Sequence, residues 1–542
     1  MTLLLTILVG ASSFVLFRFT QMLVMGRKLR AHLYWVFSDS AAWRVMLPSW
    51  TNIPWITYGN NRPYQIKYSE FVRAGMDGYI QMALTVTTPV IFLADPQAMR
   101  EITRPRSGVV QDIEITGVFF GMFGQNIATL EGDVWKHHRR ITQRAFSEKN
   151  VQLVWSETLL VTEELFKLWD ERYGSVVRIV KISDTTENLA LMVISSAALG
   201  QRMSWKEESK RSLPPGHSIS FQQAVKTVST SIFLRLLTPS WAEGLTLATR
   251  KMSTGFREFG KYLHDMIAAY RNHGKLDQNV MGTKDIGLAP TENLFNIVMS
   301  ASQEDKAEAG KGLADEEIAG NAFLFLFAGH ETTAHALAFC FGLLAVYSEV
   351  QAEVYAQVRS VLGSRQSLEY ADFGELKLAT GVFMEALRMY PVVPQLSKNA
   401  EEDIVVSVAR NGPGTDENDR VDIAVPAGSN IIMSVLATHY NPRYWPKPEE
   451  FRPARFSEAY NKDAFLPFGT GRRACLGRKF AETEATAAIA AILLRYEVSV
   501  DTSKFPTIPG ETARARRERL LRPYHFMTMV PENMPLVFTR RN

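Results

Sequence analysis

Residues 468–477 read Phe468-Gly-Thr-Gly-Arg-Arg-Ala-Cys-Leu-Gly477, and they set one cysteine, Cys475, in a glycine-bracketed turn that runs into a helix-like stretch. A helix N-terminus carries partial positive charge and unpaired N–H groups. Sulfur held there is biased toward thiolate, the form that binds metal. Gly471 and Gly477 permit backbone angles or close approaches that a side chain would forbid. Arg473, two residues before the sulfur, offers a rigid fork of donors for a carboxylate. Thiolate, tight turn and carboxylate clamp together point to an axial haem ligand with an arginine on a haem propionate. A lone cysteine would read as a small buried hydrophobe; the spacing around this one changes the reading.

That spacing, Phe468-x-x-Gly471-x-Arg473-x-Cys475-x-Gly477, resembles the haem-binding loop of the cytochrome P450 family at all five fixed positions. The resemblance implies a cytochrome P450-type haem fold, mainly α with small β-sheets (α+β). It implies haem b, iron protoporphyrin IX, with the Cys475 thiolate as axial ligand and with Phe468, Arg473 and Gly477 around it. The implied activity is that of a monooxygenase, which inserts one oxygen atom from O2 into a hydrophobic small molecule. The residues past the helix after Cys475 leave no room for a flavin domain, so the resemblance implies a separate NADPH-cytochrome P450 reductase.

Composition sets outer bounds. The chain has 542 residues, no Pro/Gly/Ser-rich linker and no internal repeat, which favours one large domain over residues 26–542. Hydrophobic content of 46% and charged content of 21% are ordinary for a globular protein. A net charge of +4 gives no case for nucleic acid. Cys340 and Cys475 are the only cysteines, which argues against a disulfide scaffold and for a reducing compartment.

Residues 1–25 read as an N-terminal transmembrane anchor. Thr2 to Phe17 carries no charge, and the apolar run reaches Met25 if Arg18 snorkels. Arg27, Lys28 and Arg30 follow, which favours a cytosolic C-terminal side. A cleaved signal peptide lacks its positive n-region here, and a helix lying in the interface is the remaining alternative. Membrane-bound members of the resembled family sit in the endoplasmic reticulum with the catalytic domain cytosolic. The proline-rich hinge they usually carry is reduced here to Pro48 and Pro54.

Residues 315–347 form the longest apolar helix candidate after the N-terminus. Asp315, Glu316 and Glu317 place negative charge in its first turn, as the helix dipole favours. Four polar residues interrupt its middle: His330, Glu331, Thr332 and Thr333. Buried polar groups cost free energy unless paired. Gly329 would let the backbone open, and a threonine hydroxyl can bond back to a carbonyl one turn earlier. A polar kink in a core helix would look the same. Ala328-Gly-His-Glu-Thr-Thr333, however, resembles the family's oxygen-activation motif at every fixed position. That likeness implies catalytic proton delivery by Thr332 and Glu331.

Glu385 and Arg388 share one helix face, and Pro391 ends that helix. Such a pair alone reads as a surface contact. Pro453-Ala-Arg455-Phe456 follows, and the resembled family completes a structural triad with that arginine, so Glu385, Arg388 and Arg455 take that role. Trp135-x-x-x-Arg139 sets an indole and a guanidinium one turn apart, both donors suited to a carboxylate. The likeness places Trp135, Arg139, Lys398 and His439 on haem propionates, with lysine at 398 where many relatives have arginine. His137 and His138 point to different faces of a helix and are not read as a metal site.

Residues 80–93 read as a strand pair broken at Pro89, residues 150–200 as helix, and residues 272–312 as loop with at most one helix. Residues 409–420 read as a surface insertion between the strand-like runs 404–408 and 421–425. By resemblance the substrate pocket draws on Val118 to Phe123, Phe323 to Phe327, Val392 to Gln395 and His525 to Met527, which are largely aromatic and aliphatic. This favours a hydrophobic molecule such as a terpenoid, polyketide or fatty acid, in the manner of fungal members that tailor natural products. Two other classes are compatible with the motifs: a haem-thiolate isomerase or dehydratase, and a non-catalytic haem-binding protein.

Overall fold

The computed structural model describes residues 9–10, 12–21, 24, 33–36, 61–83, 88–205, 213–274, 293–412, 415, 418–525 and 528–541. In chain order the strands are β1 (Leu33–Val36), β2 (Gly78–Ala83), β3 (Val90–Leu93), β4 (Val109–Gln111), β5 (Val176–Ile179), β6 (Leu396–Ala400), β7 (Ile404–Ala409), β8 (Arg420–Val425), β9 (Asn430–Met433), β10 (Tyr496–Val500), β11 (Pro523–His525), β12 (Met529–Pro531) and β13 (Leu536–Arg540). The helices used below are α1 (Pro96–Ile102), α2 (Gly132–Thr142), α3 (Glu148–Tyr173), α4 (Ile182–Leu199), α5 (Phe221–Leu237), α6 (Leu247–His273), α7 (Leu294–Ala309), α8 (Asp315–Val346), α9 (Ser348–Leu362), α10 (Lys377–Met389) and α11 (Arg478–Arg495). The chain divides into two compact units.

The first unit comprises residues 1–112, 384–475 and 512–532. Its main sheet has the order β1-β2-β3-β9-β6-β4. The strand pair expected over 80–93 is β2 against β3, antiparallel with Ile80 opposite Ile91. Both faces are covered, so β2 is buried along its whole length. Ile80, Ile91, Leu93, Ile431 and Met433 meet Val406, Val408 and Ile423 of the β7–β8 hairpin in one core. The two runs expected beside 409–420 are these hairpin strands. Helix α1 starts where Asp95 accepts hydrogen bonds from the Gln97 and Ala98 amides and Pro96 occupies the first turn. The described residues among 9–24 are helical, and Phe14, Leu16, Phe17 and Phe19 on them are exposed. The remainder of the expected 1–25 anchor lies outside the described residues. Among the described residues no single helix is long and apolar enough to cross a membrane.

The second unit comprises residues 113–383, 476–511 and 533–542. Helix α8 is its axis, 32 residues long and apolar on nearly every face. A helix of that composition is stable only when surrounded, and α4, α6 and α11 pack against it. Caps set the lengths: Ser147 starts α3, Thr246 and Thr249 form a capping box on α6, and Gly200 ends α4 at φ 67°. The helical reading of 150–200 needs a correction. The break at Gly174 is followed by β5, which pairs antiparallel with β13 in the sheet β10-β13-β5. The short Val-Val-Arg-Ile run is β-branched enough to be a strand, but its partner lies more than 350 residues away. Within 272–312 the one described helix is α7.

Candidate active site

In the first unit the Cys475 loop is shaped by two glycines in the left-handed region, Gly469 and Gly471, each at φ 68°. A Cβ on Gly471 would lie 2.8 Å from Thr103 Cβ and 3.0 Å from the Thr103 carbonyl oxygen, so backbone angle and space both demand glycine. A three-residue 3₁₀ turn over Gly471–Arg473 follows, and the Cys475 amide donates to the Phe468 carbonyl at 2.9 Å. The loop therefore closes on itself and leaves the Cys475 thiol exposed. Gly477 differs from Gly469 and Gly471 in its backbone angle. It sits at φ −82° as the residue capping α11, an angle open to any residue. Gly469 and Gly471 are the two glycines of the loop with left-handed angles.

Beneath the loop lies the triad, all of it in this unit. The Glu385 and Arg388 side chains are fully buried, with Arg388 Nε and Nη2 donating to the carboxylate at 2.7 and 2.9 Å. Arg455 Nε reaches the same carboxylate at 3.4 Å. Arg388 also donates to the carbonyls of His439 and Pro448, at 2.9 and 2.8 Å. Arg455 donates to the Pro446 carbonyl at 2.9 Å. The charged cluster thus knots the irregular 439–450 segment onto α10.

His439 is a correction to the sequence reading. Its Nδ1–H donates to the Arg388 carbonyl at 3.0 Å, and its Nε2 accepts the Leu466 amide at 2.9 Å. Both nitrogens are used within the protein and the ring is fully buried, so it has no donor for a propionate. Burial, and then the Arg388 charge, push its pKa down to about 3. His439 instead carries the position of the triad into the irregular segment that feeds the thiol loop. Trp445 adds a second tie there, its Nε1 donating to the Ala464 carbonyl at 3.2 Å. No motif flagged this, because the pairing joins residues 27 apart through a backbone amide. Lys398 is buried on β6, where its ammonium donates to Gln111 of β4 at 2.7 Å.

In the second unit Trp135 is buried on α2, with the Arg139 guanidinium 5.7 Å from its ring centroid. His138 is spent inside the protein: Nε2 meets Glu317 at 3.1 Å and Nδ1 meets Asn321 at 3.2 Å. Burial lowers its pKa. His137 faces Asp305 instead, as adjacent positions on a helix require.

On α8 the motif Ala328 to Thr333 marks a change of surroundings. Residues 318–327 and 333–344 are buried, whereas Ala328 is exposed and Gly329, Glu331 and Thr332 are half-buried. The Thr332 hydroxyl donates to the Ala328 carbonyl at 2.7 Å, the back-bond expected from sequence. Helix α8 runs on across Gly329 without ending there. The glycine serves packing: a Cβ there would lie 2.7 Å from Ile194 Cδ1 on α4. Aromatic rings gather one to two turns earlier on α8. Phe123 packs on Phe256, Phe259 and Phe323, and Phe120 on Phe327.

The two cysteines can be tested as metal ligands. Cys340 is buried on α8 with its thiol toward the Val382 carbonyl at 3.9 Å, and burial pushes its pKa well up. It fits core packing and not a thiolate. Cys475 is exposed, on a loop locked by two glycine turns, and Arg473 stands beside it half-buried. That donor set fits a haem iron and its propionate.

Comparison with known proteins agrees with this geometry. Residues 46–522 match the family profile described as cytochrome P450. A Postia placenta protein named cytochrome P450 monooxygenase 124 is 36% identical over 494 residues, which is 90% of each chain. The Rattus norvegicus protein named cytochrome P450 4F4 is 27% identical over 428 residues, 76% of each chain. The crystal structure of the cytochrome P450DA haem domain superposes with a TM-score of 0.67 at 23% identity, covering 91% of this chain and 97% of that one. A profile spanning most of the sequence, on a mainly helical fold with small sheets, leaves one conclusion: this chain belongs to the cytochrome P450 family, whose members are oxidoreductases that hold protoporphyrin IX iron on a cysteine thiolate.

Proposed function

We propose that this protein is a monooxygenase that inserts one oxygen atom from O2 into a hydrophobic small molecule, of the kind met in natural-product or lipid tailoring such as terpenoid hydroxylation. The observation that carries the reading is the exposed Cys475 thiol on a loop tied through His439 to the buried triad. Cys475 is assigned as the axial ligand. Arg473, Trp135, Arg139 and Lys398 are assigned to the propionates. Phe468 and Gly477 flank the loop, and Glu385, Arg388 and Arg455 hold its foundation. Bound haem supplies the oxidising chemistry. The chain supplies position and protons: Thr332 holds its hydroxyl at a fixed point on α8, and Glu331 exchanges a proton there. The phenylalanines around Phe123 support an apolar substrate.

Electrons are assigned to a separate NADPH-dependent reductase. Residues 1–25 are assigned as a single-pass anchor in the endoplasmic reticulum, with residues 26–542 as the cytosolic catalytic domain. Support comes from the exposed apolar residues of the described N-terminal helix and from the basic residues that follow. The test is the spectrum of the reduced carbonyl complex. Wild-type protein gives the thiolate-type band and Cys475→Ala loses it; survival of the band in the variant removes Cys475 as ligand. Substrate shifts of the haem spectrum, screened against terpenoid, polyketide and fatty-acid fractions, then decide the substrate class.

A further inference from the structure

Helices α4 and α8 meet in antiparallel register. Ile194 of α4 fills the space left by Gly329, and Glu187, seven residues earlier on α4, faces His335, six residues later on α8. At 1.5 Å per residue these are nearly equal steps along the two helices. His335 is buried, and its Nε2 lies 3.4 Å from the Glu187 carboxylate, which is 39% exposed. His335 follows Glu331 by four residues on the same helix, so the two side chains share one face a turn apart. The Glu187–His335 pair thus reaches from the exposed side of α4 to α8, one helical turn from Glu331 in the half-buried motif.

We propose that Glu187 and His335 form a proton-conducting branch that feeds Glu331 from solvent. Glu187 takes a proton from water and passes it to one ring nitrogen of His335, and the other ring nitrogen releases a proton toward Glu331. One proton crosses, no electrons move, and rotation or tautomer exchange of the imidazole resets the path. The neighbouring charged groups are compatible with this. Lys181, a cation near Glu187, is paired with Asp184 at 2.8 Å. His330, which also interacts with the pair, is held neutral: burial pushes it down to about 4, and its Nδ1–H is occupied by the Leu326 carbonyl at 3.3 Å. Burial raises Glu187, but its hydrogen bond to His335 and the Lys181 charge hold it below the usual carboxylate range. The proposal rests on the proton role given above to Glu331.

The experiment uses haem-loaded, full-length protein and needs neither substrate nor reductase. After a pH jump, proton arrival at Glu331 is followed as the infrared carboxyl band that Glu331→Gln removes. The expected result is arrival at least tenfold slower in His335→Phe and in Glu187→Gln, with wild-type rate in Glu187→Asp. The thiolate-type carbonyl spectrum, unchanged in all four variants, verifies their fold and the haem assignment independently. Unchanged arrival in His335→Phe or Glu187→Gln, or no titrating band that depends on Glu331, overturns the branch while leaving the monooxygenase reading intact. Loss of the carbonyl spectrum from wild type itself removes the reading and the branch together.

Discussion

Replacing Glu385 with glutamine should destabilise this protein far more than one oxygen-to-nitrogen exchange suggests. The carboxylate is fully buried and accepts from Arg388 Nε and Nη2, from Arg455 Nε and from the Arg452 amide. Burial works against the Arg388 charge, and Glu385 more than offsets it, so the guanidinium pKa stands above its usual value. Glutamine removes the counter-charge and turns one acceptor into an NH₂ that faces donors. Two buried guanidinium groups, at 0% and 4% side-chain exposure, are then left without it. Breaking a buried ion pair from one side typically costs about 3–5 kcal/mol. Against a total stability on the order of 5–15 kcal/mol, that is about a fifth or more of what holds the fold. The assay is urea unfolding of haem-loaded protein, followed in parallel by the haem band and by tryptophan fluorescence. The double replacement Glu385→Leu with Arg388→Met should recover part of the loss, because it removes the buried charge together with its partner. As a control, Asp133→Asn, which breaks the exposed pair with Lys136, should leave stability unchanged. A Glu385→Gln variant within about 1 kcal/mol of wild type would refute the reasoning, since a loss that small is typical of an exposed pair.

Acid should act through His439. Its pKa is about 3 in the fold against about 6.5 unfolded, so the unfolded chain binds the extra proton as pH falls below 6.5. Stability is therefore lost on acidification, by about 2 kcal/mol at pH 5 from this group; urea midpoints at pH 7 and 5 should show a steeper fall in wild type than in His439→Gln, and equal slopes would discount the bridge to Leu466. Gly329→Val should push α4 from α8 and cost about 1–3 kcal/mol, and Ile194→Ala in the same chain should restore part of it; no recovery in thermal melts would mean the 2.7 Å approach is not what the glycine serves. Thr332→Ala should keep the carbonyl spectrum yet divert NADPH electrons to peroxide, and unchanged coupling of NADPH use to product would count against its proton role.

Much of this was legible in the chain because it is written in short spacings. The thiol loop, the α8 motif, the Glu385–Arg388 pair and the Trp135–Arg139 pair each span ten residues or fewer, so local backbone geometry alone brings their side chains together. The β2–β3 and β7–β8 pairs were legible for the same reason, since a strand next to its partner in sequence needs only a turn. Family likeness then supplied the chemistry that spacing could not.

The tertiary structure decided what depends on chain closure. Strand β5 exists because β13 comes back to pair with it, and nothing within 150–200 announces that partner. His439 reads from sequence as a free donor, but the fold spends both its nitrogens on backbone groups of residues 388 and 466. Gly329 also seats Ile194, which no local spacing announces, and Glu187 meets His335 only because two helices cross in one register. The physical division is one of distance along the chain. Steric rules fix the shape of a few consecutive residues, whereas which distant groups meet is set by how the whole buries its apolar surface and pairs its buried polar atoms.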